Sequence, residues 1–155
     1  MSAPALPAVG APAPDFTLPS TAVIEVTLSR LRGRNVLIAF FPLAFTSVCT
    51  KELCAFSEDY GRFGSADTEV LPISVDSIAT LKEFKAKERM TVDLLSDFKR
   101  EVSRRYGTLL EDKFLSRRAY VLVDREGIVR WAYAEETSKT RRENEEIFEQ
   151  LGKLS

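Results

Sequence analysis

Two cysteines five residues apart, Cys49 and Cys54, carry the most nucleophilic side chains of the sequence. They lie in the stretch Phe41-Pro42-Leu43-Ala44-Phe45-Thr46-Ser47-Val48-Cys49-Thr50-Lys51-Glu52-Leu53-Cys54, which passes from an apolar run through a loop into a helical pattern. Cys49 is thereby placed in the first turn of a helix. Such a terminus presents unpaired N–H groups and a partial positive charge of about half a unit, which favours a thiolate. Ionisation alone is not enough. An ordinary thiol is already a few per cent ionised at neutral pH, so complete ionisation gains about 30-fold, or about 2 kcal/mol. An efficient thiol catalyst needs several kcal/mol more, from groups that hold the substrate and stabilise charge as a bond breaks. Thr46 offers a hydroxyl, Val48 and Cys49 offer backbone N–H donors, and an arginine would supply fixed charge. Pro42 contributes shape and shielding.

The rest of the composition narrows the chemistry. There is no histidine, which removes Ser-His and Cys-His pairs and most zinc and haem sites. Two cysteines cannot close a four-ligand zinc site, and none of the usual glycine-rich phosphate or nucleophile motifs occurs, so neither metal nor cofactor is expected. The formal net charge of -1 provides no field for nucleic acid or anionic lipid. No apolar run approaches a membrane span and the N-terminus does not read as a signal peptide. A cytoplasmic setting is therefore the expectation, where a cysteine pair is more often catalytic than structural.

The elements that must position these groups follow from periodicity. A length of 155 residues suits one domain, 1–155, with residues 1–14 an Ala/Pro-rich extended lead-in. Phe16–Leu18 and Ile24–Leu28 predict a short hairpin. The unbroken apolar run in Asn35–Phe41 predicts a strand buried on both faces, ended by Pro42. Val48, Leu53, Phe56, Tyr60 and Phe63 predict one amphipathic helix, Glu69–Val75 a second buried strand, and Ile78, Leu81 and Phe84 another helix. Val92–Leu95 reads as a short strand and Lys99–Tyr106 as a helix stopped by Gly107. Tyr120–Val123 and Ile128–Tyr133 flank Asp124-Arg125-Glu126-Gly127, a type I turn sequence. Phe148, Leu151 and Leu154 mark a C-terminal helix. The class is α/β with a mixed central sheet.

The spacing Pro42-x-x-x-Thr46-x-x-Cys49, with Glu52 following, resembles the active-site motif of the peroxiredoxins. The likeness extends to Ala13-Pro14-Asp15-Phe16, to Leu95-Ser96-Asp97 and to Arg118-Ala119-Tyr120-Val121-Leu122-Val123-Asp124. The second cysteine and Cys54-Ala55-Phe56 look most like the bacterioferritin-comigratory (peroxiredoxin Q) group, whereas Pro42-Leu43-Ala44-Phe45-Thr46 resembles the alkyl hydroperoxide reductase E type. The resemblance implies a thioredoxin-like fold with mixed sheet and N-terminal hairpin. It implies reduction of hydrogen peroxide and organic hydroperoxides at a peroxidatic Cys49, a resolving Cys54, and recycling by thioredoxin or a similar dithiol. By the same likeness, Arg118 activates Cys49 and, with Thr46, Val48 and Cys49 itself, binds peroxide. A monomer is favoured, with a dimer as the other arrangement.

Each residue also has a plainer reading. Cys49 alone would pass for an inert buried thiol, Thr46 for a helix cap and Arg118 for a surface charge; Glu52, whose catalytic part would be to orient Arg118 or a donor, would pass for an acid complementing the helix dipole. Arg117 competes with Arg118; adjacent strand residues point to opposite faces, so only one of the two faces the site, and Arg118 is favoured. Cys54 is either resolving or a packed core thiol. Positions five apart on an ideal helix are separated by about 8.6 Å, beyond the Cα reach of a disulfide, about 7 Å. A Cys49–Cys54 bond therefore requires the first turns to unwind. A one-cysteine peroxidase, a thiol–disulfide oxidoreductase and a non-catalytic redox sensor are the competing functions.

Overall fold

The computed structural model describes residues 5–154; the first four residues of the expected lead-in lie outside it. Residues 5–14 contain no helix or strand, in keeping with their prolines. Strands β1 (Thr17–Pro19) and β2 (Glu25–Thr27) form the antiparallel N-terminal hairpin, and a 3₁₀ turn, Leu28–Leu31, leads to β3 (Asn35–Phe40). Helices α1 (Ser47–Glu58) and α2 (Tyr60–Ser65) precede β4 (Thr68–Ser74), α3 (Ile78–Glu88), β5 (Leu95–Ser96) and α4 (Glu101–Arg105). A small hairpin, β6 (Leu109–Leu110) with β7 (Leu115–Ser116), is followed by β8 (Ala119–Val123), β9 (Val129–Ala134) and α5 (Asn144–Leu151).

The central sheet has the order β5-β4-β3-β8-β9 and is mixed. β3 pairs in parallel with β4 and antiparallel with β8, so it lies at the centre, and all six of its residues are buried. Alternation along β3 divides the core into two layers. Leu37, Ala39 and Phe41 pack beneath the helical layer of Leu53, Phe56, Leu81 and Ile147, while Val36, Ile38 and Phe40 face Phe16, Leu18, Val102 and Tyr106. The β8–β9 hairpin turns as its sequence predicts, with the Gly127 N–H donating to the Asp124 carbonyl and the Asp124 carboxylate accepting from Glu126 and Ile128 N–H. Gly107 follows α4 with φ +72°, a left-handed value that glycine adopts without strain. Among the described residues no helix is long and apolar enough to cross a membrane.

Three expectations need correction. The single helix through Phe63 is two, divided at Asp59, with Gly61 and Gly64 weakening the second piece. The strand expected at Val92–Leu95 is only Leu95–Ser96, because Val92 and Leu94 instead fill the helical-layer core. Leu154 lies beyond the end of α5 yet still packs on the core, and the fully buried residue of that helix is Ile147. The β6–β7 hairpin has no counterpart in the sequence reading. The motifs around Asp15 and Asp97 are structural: Asp15 accepts from Ser29 N–H, and Asp97 accepts from the Val102 and Ser103 N–H groups that open α4.

Candidate active site

The site forms where β3 gives way to α1. Phe41 N–H still bonds to the Ile73 carbonyl, one step past the strand, and Pro42 then has no N–H to continue the ladder. The loop is tied down by Asp76, whose carboxylate accepts from Ala44 N–H at 2.8 Å and from the Ser74 hydroxyl at 2.7 Å. Phe45 adopts φ +66°, unusual for an aromatic residue, and its ring packs 4.9 Å from that of Phe84. This turn places Thr46 at the N-cap, but its side chain makes no capping hydrogen bond. The hydroxyl instead donates to the Leu43 carbonyl at 2.8 Å, so it is left to act on a ligand as an acceptor.

Cys49 is the third residue of α1 and is 1% exposed. Its sulfur accepts from Arg118 Nη2 at 3.1 Å. One turn along the same helix face, Glu52 receives Arg118 Nη1 on Oε1 at 2.8 Å and the Tyr120 hydroxyl on Oε2 at 2.8 Å. Arg118 Nη2 also donates to the Ser138 carbonyl, whereas its buried Nε has no partner among the described residues. Burial pushes the Glu52 carboxyl above its usual range, opposed by the Arg118 charge and by the Tyr120 and Arg118 hydrogen bonds. Burial acts to lower Arg118, but the charges of Glu52 and Cys49 outweigh it and hold the guanidinium higher. The two directions pull apart, since a neutral Glu52 could not raise Arg118. The geometry decides for an ion pair, because both carboxylate oxygens accept from donors.

A cleft of about 610 Å³ opens over Cys49. Pro42, Thr46, Val48, Cys49 and Arg118 all line it, whereas Glu52 stands behind Arg118 and does not. Cys54 belongs elsewhere: it packs partly buried against the helical-layer core, where burial and the charges of Glu88 and Glu58 push its thiol upward. Both cysteines are free, and both lie on one continuous α1. Arg117 lines the cleft beside Arg118. The either-or expectation for the two fails because they occupy the link between β7 and β8, outside either strand, where alternation does not hold. The sequence reading did not single out Tyr120 and Ser138. Tyr120 follows Arg118 by two residues, but the link before β8 breaks the alternation that would have put the two on one face. Ser138 acts through its backbone carbonyl, which leaves no mark in the sequence.

The AhpC/TSA family model matches residues 9–132, a span that contains Pro42, Thr46, Val48, Cys49, Glu52, Arg118 and Tyr120 but not Ser138. The chain belongs to the AhpC/TSA family. These are the peroxiredoxins, and thiol-dependent peroxide reduction is the chemistry of the family. Alkyl hydroperoxide reductase E of Mycobacterium tuberculosis is 40% identical over 136 residues, covering 86% of this chain and 89% of that protein. The chloroplastic peroxiredoxin Q of rice is 39% identical over 126 residues, covering 80% of this chain; the chain spans only 58% of that relative. Both groups that the sequence resembles thus stand among its relatives at similar identity. Reduced 2-Cys peroxiredoxin of Plasmodium vivax superposes with a TM-score of 0.86 at 33% identity, over 93% of this peroxiredoxin and 80% of that chain. AhpC of M. tuberculosis gives the same TM-score, 0.86, at 26% identity, over 96% of this chain and 93% of that one. The fold is thioredoxin-like.

Proposed function

We propose that this peroxiredoxin reduces hydrogen peroxide and organic hydroperoxides through Cys49, and that Cys54 resolves the oxidised product. The observation that carries the reading is the Arg118 guanidinium, held on Glu52 and donating to the Cys49 sulfur at 3.1 Å. A charge-assisted donor at that distance suits a thiolate. The Cys49 thiolate attacks one peroxide oxygen and the O–O bond breaks. The departing oxygen takes a proton and leaves as water or alcohol, and Cys49 becomes a sulfenic acid. Thr46 Oγ accepts the peroxide O–H, while the Val48 and Cys49 N–H groups and Arg118 stabilise the developing charge. Cys54 sulfur then displaces the sulfenic oxygen as water, and thioredoxin or a similar dithiol reduces the disulfide by exchange. The cleft is far larger than hydrogen peroxide requires, which supports organic hydroperoxides as substrates.

A second reading is favoured by one observation. Cys54 is packed against the core on an unbroken helix, the arrangement of a one-cysteine peroxidase in which an external thiol reduces the sulfenic acid directly. Cys54→Ser separates the two. Resolution by Cys54 requires this variant to consume one equivalent of peroxide at the unaltered rate and then to stall with thioredoxin as reductant. Sustained thioredoxin-linked turnover would establish the one-cysteine route. Trp131 stacks on Tyr120 at 5.9 Å between ring centroids, so its fluorescence is a local probe for this experiment.

A further inference from the structure

We infer that Tyr120 is a positioning residue for the peroxide step: its phenol fixes Glu52, and through Glu52 the Arg118 guanidinium that faces Cys49. The inference rests on the reading of Cys49 as the nucleophile. A glutamate held by one oxygen alone can turn about its terminal torsion, which is broad and roughly two-fold. Arg118 holds only Oε1, and Tyr120 occupies Oε2 and closes that rotation. The pose of Oε1 in turn sets the plane of the guanidinium, whose other nitrogen reaches the sulfur.

Tyr120 is itself immobile. It is fully buried, pairs with Ala39 of β3 and Tyr133 of β9, and stacks on Trp131. Its oxygen accepts the Arg142 N–H at 2.8 Å, so its own proton is directed to Glu52. The same contact anchors the segment between β9 and α5. That segment also binds Arg118 through the Ser138 carbonyl and through Glu135 N–H, which donates to the Arg118 carbonyl. One phenol therefore ties the carboxylate, the arginine and the cleft wall into a single rigid unit.

The test is a double-mutant cycle on the bimolecular rate with hydrogen peroxide, followed by peroxide consumption against pH, with Tyr120→Phe, Glu52→Gln and both together. Tyr120→Phe is expected to slow the reaction about tenfold, the scale of a misplaced catalytic group. Loss of a donor disfavours the Glu52 anion, so the acid limb of the pH profile is expected to move to higher pH. On the Glu52→Gln background Tyr120→Phe is expected neither to move the acid limb nor to add further slowing. An equal slowing on both backgrounds with an unshifted pH profile would make Tyr120 a core residue and overturn the inference. 3-Fluorotyrosine at position 120 keeps the packing and changes only the acidity of the donor; it is expected to shift the acid limb, and an unshifted limb is again fatal. Cys49→Ser is run alongside: if it still reduces peroxide, the nucleophile assignment fails, whereas an inactive Cys49→Ser with additive Tyr120→Phe sinks the positioning role alone.

Discussion

Cys49→Ser is expected to lower peroxide consumption to that of buffer while leaving the protein folded. A serine hydroxyl is not ionised at neutral pH, so the variant has no anion for the peroxide to meet. Its oxygen can still accept from Arg118 Nη2, so no buried donor is newly abandoned. The site is 1% exposed and the change removes little volume, so the loss is chemical and thermal melting is expected to move by only a few degrees. Stopped-flow mixing with hydrogen peroxide measures it directly. Undiminished consumption by this variant would remove the mechanism.

Arg118→Met should harm rate and stability together, with opposite lessons about the ion pair. Loss of one fixed donor to developing charge typically costs a factor of about 10²–10³, and methionine leaves Glu52 buried with Tyr120 as its only side-chain donor. Breaking a buried pair from one side costs about 3–5 kcal/mol. That penalty depends on pH in a defined direction. Burial already raises the Glu52 carboxyl, and removing the Arg118 charge raises it further. A group raised in the folded state gives stability present below its unfolded value and lost as pH climbs through its folded value. Urea unfolding of the variant should therefore show stability falling from acid towards neutral pH, more steeply than in the parent. Arg118→Lys is not expected to rescue the rate, since an ammonium cannot reach carboxylate and sulfur with a rigid fork. A variant with wild-type rate would leave Arg118 a packing residue only.

The placement of the site was legible wherever chemistry coincided with periodicity. The apolar run before Pro42 fixed β3, and the turn into a helix put Cys49 in the first turn of α1. Glu52 bonds Arg118 from behind the cleft, and Thr46, Val48 and Pro42 line the cleft with Cys49. Other features resisted for physical reasons. Two-residue strands such as β6 and β7 are too short to show a period, so the cleft wall they build was invisible. The contrast drawn between Arg117 and Arg118 assumed a strand where the chain runs through a link, so burial against Glu52, and not alternation, singles out Arg118. The Ser138 carbonyl reaches the site through a long loop whose path no local pattern encodes.

The C-terminal half of α1 is bolted to its surroundings. Asn144 donates to both the Ala55 carbonyl and the Asp59 carboxylate, and Thr91 bonds to Ser57 through hydroxyl and N–H alike. The opposite end carries exposed Thr46 and Ser47. A rod clamped at one end frays from the other, so under the proposed resolution by Cys54 it is the sulfur at position 49 that travels while the one at 54 waits. Each residue released regains about 1–2 kcal/mol of backbone freedom, which offsets part of the broken ladder. Deuterium uptake after oxidation should accordingly rise at amides 47–52 and stay low at 55–58; a helix that melts throughout would show that the clamp does not hold.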